Sequence, residues 1–474
     1  MLNYENFIDK NKSMLIAPAG FGKTHTIAEC LKHTKESEKQ LILTHTHAGV
    51  ASIKEKIKRE HIPAKKYNVE TISSFAQKYT LSFYDGKDVP EQKNSKEYYP
   101  FIIEKAIDIL RIKPIQKVIT NTYNGLFVDE YQDCTKRQHK LILELSNLLP
   151  TRILGDFLQG IFGFNGESLV DMRDCVEMGD FFKNQCALSK PQRWLNGNNA
   201  NLGNELKQIR DCLINKRSIN LNNYTSIETC ICKELDLYKP KTNYYKKMQD
   251  LLKEENLLVI HPNSTSIHPR IKIIQQFSNR LALIESIDDK KFYELSVFAD
   301  QINKDNIVSE IRSLSSQLFG GLNEWFNDTG FKNKRKKEDK ALLEPIRCKI
   351  DQLEQRISFS LISGILKDIK KLKGVKTYRR ELFSSFTQAL EEAEYNKLSV
   401  ETAMTNKRNL IRRIGRKVFG KCIGTTLLTK GLEFDTVAII NAHKFDCPKH
   451  LYVAMTRASK RLLIFTKHEE LGIY

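Results

Sequence analysis

Long apolar runs are missing from this 474-residue chain: no stretch approaches the roughly eighteen uninterrupted apolar residues a membrane-crossing helix needs, so no membrane partner is expected. The first fourteen residues carry Asn3, Glu5, Asp9, Lys10 and Lys12 in place of a secretory signal's apolar centre, and a cytoplasmic protein is expected. Its ten cysteines stand singly apart from Cys230-x-Cys232. With no paired CxxC spacing they exclude a zinc or iron–sulfur framework; a chain of this length needs no disulfides, so they read as free thiols. The 12 prolines and 22 glycines gather into no linker, and no internal repeat occurs. What the chain has in excess is positive charge: 76 Lys and Arg against 57 Asp and Glu, a formal net charge of +19. At roughly 150 residues per domain and with ample apolar residues, about three domains with their own cores fit, and disorder is excluded. A basic protein meets polyanions, nucleic acids first among them.

Three segments carry chemistry. Ser13 to Thr24 reads as a buried strand, a tight loop at Gly20 and Gly22, and a helix mouth at Lys23 and Thr24. Backbone N–H groups there can cradle phosphates, Lys23 can reach the outer ones, and the Thr24 hydroxyl can ligate Mg²⁺. Asn124 to Asp133 is an apolar strand ending in two carboxylates, which suits Mg²⁺ handling by Asp129 and water activation by Glu130. Arg152 to Gly166 repeats the strand-then-polar pattern: Asp156 and Gln159 are placed to sense a γ-phosphate, and Phe162 and Phe164 offer faces for base stacking.

These residues resemble motifs I, II and III of the UvrD/Rep-type superfamily 1 DNA helicases, with the loop in the form Ala17-x-Ala19-Gly20-x-Gly22-Lys23-Thr24. Further matches follow in order. Leu43 to Ala51 is similar to motif Ia and Glu70 to Phe75 to motif Ib, which implies strand contacts from Thr44, His45, Thr46, Thr71 and Ser73. Leu188 to Trp194 resembles motif IV, making Arg193 a γ-phosphate contact. Gly424 to Asp435 resembles motif V, with Gly431 and Glu433 at phosphate and ribose and Thr426 on the strand. Leu451 to Ala458 resembles motif VI, with Arg457 as the arginine finger. The resemblance implies an α/β fold of two RecA-like P-loop NTPase motor domains with small helical insertions, and ATP and Mg²⁺ as cofactors.

The departures matter as much. Leu2 to Asn11 holds no glutamine to read adenine, and Gln192 stands where the family stacks an aromatic, so looser selectivity for ATP over GTP is expected. His45, Phe164, Asn165 and Leu427 also depart from the usual strand-contact residues. The expected plan is motor 1A at 1–82 and 123–185 around a short helical insert at 83–122, then motor 2A at 186–299 and 421–474 around a basic helical insert at 300–420. That second insert is heptad-like at Leu342, Leu343, Ile346, Ile350 and Leu353. Phe331 to Gly420 holds 23 Lys and Arg against 11 Asp and Glu, a net +12, in runs such as Lys334–Lys337, Lys370–Lys373 and Arg412–Lys417.

The leading expectation is an ATP-dependent 3′ to 5′ helicase or translocase on single-stranded or tailed duplex DNA. It would work beside a separate nuclease partner, in the manner of the UvrD-like half of Gabija-type anti-phage systems. One alternative stays open, a nucleotide-sensing, DNA-binding regulatory subunit that hydrolyses NTP to control a partner without processive unwinding; an RNA helicase is disfavoured because the motif set looks DNA-type.

Overall fold

The computed structural model describes residues 2–92, 94–163, 167–278, 280–286, 290–303, 306–327, 330–414, 418 and 420–472. Phe164, Asn165 and the 415–417 part of the basic run lie outside the described residues. The chain forms two compact units, one of Met1–Ser264 with Thr425–Tyr474 and one of Thr265–Gly424.

The first unit begins with six parallel strands: β1 Lys12–Ile16, β2 Gln40–Thr44, β3 Tyr67–Thr71, β4 Gly125–Val128, β5 Thr151–Gly155 and β6 Gln185–Ala187. Their order is β3-β2-β4-β5-β1-β6. Strands β2, β4 and β5 are buried along their whole length, as a parallel sheet covered on both faces requires. Side chains alternate between two cores. Met14, Leu41, Leu43, Leu126, Val128 and Ile153 enter one. Leu15, Ile42, Phe127 and Leu154 enter the other, where Ile27, Leu31, Ile53 and Ile57 from helices Lys23–His33 and His47–Arg59 cover them. Period-two alternation thus sorts each strand between the two layers. Residues 83–122 supply helices Ser95–Leu110 and Lys113–Thr122, whose Tyr98, Ile102, Ala106 and Ile119 belong to the first of these cores.

A second parallel sheet in the same unit uses β8 Ile227–Ile231, β9 Leu257–Ile260, β14 Phe434–Ile439 and β15 Ala458–Thr466, in the order β9-β14-β15-β8. An antiparallel pair, β7 Ile219–Asn220 and β16 Glu470–Leu471, sits beside it in sequence. The fold class is therefore α/β, with the RecA-like arrangement expected from the motifs.

The second unit is mainly helical. Helices Ile307–Leu318, Lys337–Gln355, Phe359–Ile369 and Arg380–Asn396 close on one core that includes Leu314, Ile346, Ile350, Ile365, Leu366 and Phe386. The heptad-like stripe is part of it: Leu343, Ile346, Ile350 and Leu353 are buried and Leu342 packs against them. Two short pairs complete it, β10 Ala282–Leu283 parallel to β13 Lys421–Gly424, and β11 Phe319–Gly320 antiparallel to β12 Lys376–Thr377. Among the described residues no helix is long and apolar enough to cross a membrane.

Candidate active site

β1 delivers the chain into the loop Ala17 to Gly22, and helix Lys23–His33 leaves it. Gly20 and Gly22 adopt φ of +75° and +100°, in the left-handed region that disfavours side chains. A β-carbon on Gly20 would lie 2.8 Å from the Trp194 ring, so the loop is also clamped from outside. Trp194 is buried, and its indole N–H donates to the Ala458 carbonyl at 2.9 Å. The N–H of Arg193 donates to the Gly20 carbonyl at 2.9 Å. Ala17 and Ala19 are buried, and the Ala19 N–H donates to the Tyr452 hydroxyl at 3.3 Å. The helix starts without a side-chain cap, which leaves its first N–H groups for an anion. Gln192, in the place expected for a stacking aromatic, flanks this loop: its Cγ lies 3.7 Å from where a Gly22 β-carbon would be.

Lys23 is buried with its ammonium 3.2 Å from Glu130 Oε1. Burial alone would lower its proton affinity, but Glu130, Asp129 and Asp156 outweigh it and hold the ammonium above the ordinary lysine range. Asp129 and Glu130 follow β4. Burial, then the Glu130 carboxylate, pushes Asp129 above the usual carboxylate range. Glu130 moves down: burial opposes, and Lys23 and Lys430 prevail, with the Gln132 amide donating to its Oε2. The Glu130 backbone sits at φ +56°, a strain of about 1–3 kcal/mol for a non-glycine residue. Its N–H donates to Asp129 Oδ1 at 2.9 Å. Two adjacent carboxylates, one of them reluctant to ionise, are a donor set suited to a hard divalent cation, which Asp129 and the Thr24 hydroxyl at the second helical position would hold.

Asp156 follows β5 and is fully buried. Its Oδ1 accepts from Arg210 Nη2 at 3.0 Å and from the Leu158 N–H at 3.3 Å, and its Oδ2 accepts from Gln159 Nε2 at 3.2 Å. Gln159 Oε1 in turn accepts from Arg457 Nη2 at 3.5 Å. Arg457 follows helix Pro448–Met455, and the carbonyls of Val453 (2.9 Å) and Leu432 (3.1 Å) hold its guanidinium. Burial and then the Arg193 guanidinium pull it below the usual arginine value. Arg193 pairs with Glu433 at 2.7 Å and donates to the Thr456 carbonyl. Lys23, Asp129, Glu130, Gln159, Arg193, Glu433 and Arg457 are thus linked within one unit, with Gly431 in the turn just before Glu433.

The expected strand contacts fare unevenly. Thr46 and Thr71 cap helices His47–Arg59 and Ile72–Phe83, accepting from the Gly49 and Ser74 N–H groups at 3.0 Å each. Thr44 is buried at the end of β2, while Ser73 is half-buried in the first turn of its helix. His45 Nε2 meets Cys134 Sγ at 3.5 Å, and burial, then Lys430, lowers its pKa to about 3, so it brings no charge to a phosphate. Thr426 Oγ1 meets His450 Nδ1 at 2.5 Å. Phe162 is half-exposed beneath the Lys430 ammonium, 4.4 Å from the ring centroid.

Lys430 is one of several residues that sequence reasoning missed. It is buried between Asp133 Oδ2 and the Gln159 carbonyl, both of which accept from its ammonium. Asp133, Lys430, Trp194 and Tyr452 all stand inside the matched segments, so each had a signal although its distant partner did not; Arg210 stands in none of them and had no signal.

Comparison with known proteins accords with this geometry. Residues 4–165 match a family described as an AAA domain, and residues 334–466 match the viral superfamily 1 RNA helicase core domain. An ATP-dependent helicase/nuclease subunit of Lactococcus lactis subsp. cremoris strain SK11 is 28% identical over 151 residues, 31% of this chain and 12% of that protein. Exonuclease/helicase subunit RexA of strain MG1363 is 28% identical over 150 residues, with the same coverage. The aligned part thus spans 12% of the length of these relatives. Among solved structures, the PRRSV helicase aligns over 98% of this chain and 54% of its own, at 11% identity and a TM-score of 0.34. An arterivirus nonstructural protein 10 helicase in complex with DNA aligns over 97% and 63%, at 10% identity and a TM-score of 0.34. The chain thus resembles the viral superfamily 1 RNA helicase core domain over residues 334–466 and an AAA domain over residues 4–165, and is similar, over 31% of its length, to helicase/nuclease subunits of the RexA type.

Proposed function

We propose that this chain is an ATP-dependent helicase or translocase that moves 3′ to 5′ on single-stranded DNA and works with a separate nuclease in DNA processing or anti-phage defence. The observation that carries the reading is the pair of contacts Lys23–Glu130 and Gln159–Arg457, joined through Gln132, which donates to Glu130 and accepts from the Asp156 N–H, and through Asp156, which accepts from Gln159; together they tie the loop after β1, the carboxylates after β4, the polar turn after β5 and the arginine after helix Pro448–Met455 into one network. Lys23 turned toward a polyphosphate leaves Glu130 with only Lys430 and the Gln132 amide to oppose burial, which moves that carboxylate's proton affinity up, in the direction of a working base. Arg193 and Arg457 stabilise charge that develops on a transferring phosphoryl group. Bound Mg²⁺ would supply the remaining charge neutralisation. Gln192 beside the loop supports loose discrimination among nucleotide bases. The helicase/nuclease names of the relatives support the nuclease partner.

A regulatory reading, in which the chain binds and hydrolyses NTP to control a partner without unwinding, is favoured by the inward pairing of His45 and Thr426. ATP hydrolysis by the intact chain and by Lys23→Ala, with and without single-stranded DNA, separates the two. Stimulation by DNA, loss in the variant and displacement on a 3′-tailed duplex are expected. Hydrolysis that ignores DNA at low salt, with no displacement, would sink the motor. Stimulation by RNA in preference to DNA would reassign the strand.

A further inference from the structure

We infer that Arg210 is a positioning residue for the Gln159–Arg457 contact, acting through Asp156; the inference rests on the hydrolytic reading above. Arg210 lies on helix Ala200–Ile214, in no matched motif, and is 8% exposed. Its partner Asp156 is 0% exposed and serves three donors with two oxygens: Arg210 and Leu158 on Oδ1 and Gln159 on Oδ2. The guanidinium holds Oδ1, which fixes the carboxylate's rotation and presents Oδ2 to the Gln159 amide. That bond decides which end of Gln159 faces Arg457. With Nε2 committed to Asp156, the carbonyl end is the one presented, and it accepts from Arg457. An amide turned over would set an NH₂ against a guanidinium, donor against donor.

The guanidinium is itself held in place. It lies 5.0 Å from the Phe157 ring centroid, and Arg173, paired with Asp171 at 3.0 Å, lies 5.1 Å from the same ring. Arg210 comes from the segment leading into the second sheet, whereas Asp156 follows β5 of the first. The ion pair therefore carries the placement of that helix into the orientation of Gln159. Removing it leaves a buried carboxylate held only by the neutral Leu158 and Gln159 donors, and the Gln159 carbonyl is aimed less firmly.

The test is a double-mutant cycle on the full chain with saturating single-stranded DNA. Arg210→Met is expected to lower kcat for ATP by about tenfold, equivalent to ~1.4 kcal/mol, with KM within twofold. Arg210→Lys keeps the charge and should recover part of the loss. Arg210→Met combined with Gln159→Ala should be no slower than Gln159→Ala alone. Losses that multiply, or a change in KM with kcat intact, would overturn the inference. Thermal melts of the same four proteins read the coupling without turnover: Tm losses smaller together than summed support it, and additive losses overturn it. A wild-type chain that melts with this coupling yet hydrolyses nothing would sink the functional reading and leave the positioning contact standing.

Discussion

Lys430→Met removes the cation of a buried ion pair, together with its bond to the Gln159 carbonyl. The Lys430 and Asp133 side chains are 5% and 1% exposed, so deleting the ammonium leaves a carboxylate inside the protein with its main partner gone. Breaking such a pair costs about 3–5 kcal/mol, since the remaining charge is neither hydrated nor compensated. The pair is already under-compensated: burial raises Asp133 to about 6 despite Lys430, and burial lowers Lys430 despite Asp133. Asp133 therefore escapes the penalty by taking up a proton, and the sign of the pH dependence follows. A carboxyl whose folded value exceeds its unfolded one favours the folded state at low pH and loses that contribution as pH rises through about 6. Without Lys430 the folded value rises further, so the variant's deficit grows with pH. Thermal melts at pH 8 are expected to show a Tm lower by roughly 5–10 °C, with a clearly smaller drop at pH 5.5. Lys430→Met with Asp133→Asn should recover much of the loss at pH 8. Equal drops at both pH values, or a double variant no more stable than the single one, would refute the buried-pair reasoning.

Arg457→Ala should lower kcat by on the order of 10³-fold while ATP binding changes little, measured by steady-state turnover and equilibrium titration; a loss under tenfold removes the arginine finger from the scheme. Because Asp129 is raised above the usual carboxylate range and must be ionised to hold Mg²⁺, turnover should fall on the acid side as pH drops through that raised value, and more Mg²⁺ should move the limb to lower pH. A limb indifferent to Mg²⁺ would contradict this. Replacing Lys336, Lys337 and Lys340 with Gln should reduce the slope of log K for single-stranded DNA against log salt by about 2, whereas replacing Lys349, Lys367 and Lys371 should leave it nearly unchanged.

The sequence was most legible where chemistry lies in contiguous residues. A glycine loop before Lys23, or Asp129 beside Glu130, needs only local geometry, and an apolar strand followed by polar residues places both at the end of a parallel strand. The clamps were not legible. Trp194 reaches Ala458 at the start of β15, and Arg210 reaches Asp156 after β5, across long stretches of chain, and periodicity says that a helix face is buried without saying against what. Helix Ser95–Leu110 makes the same point: its apolar side at Tyr98, Ile102 and Ala106 reads equally well as an insert's own core, and it joins the core of β1, β2, β4 and β5.

Charge shows the limit most plainly. Counting lysines assigns +12 to Phe331–Gly420 as though each were equal. The fold divides them. Lys349 pairs with Asp368, Lys367 with Glu391 and Lys407 with Glu392 between neighbouring helices, and Lys371 shares Asp368 locally, so four of these charges meet three carboxylates. Lys373 engages both Glu338 and Asp339, at 2.8 and 3.6 Å. Those two carboxylates are the acidic residues of the segment 331–340, so Lys332, Arg335, Lys336, Lys337 and Lys340, all exposed there, keep their charge toward solvent. Lysine at the first turn of helix Lys337–Gln355 also opposes the helix dipole, so this excess does nothing for the helix that carries it. A surplus the fold neither neutralises nor uses is the part of +19 available to a polyanion.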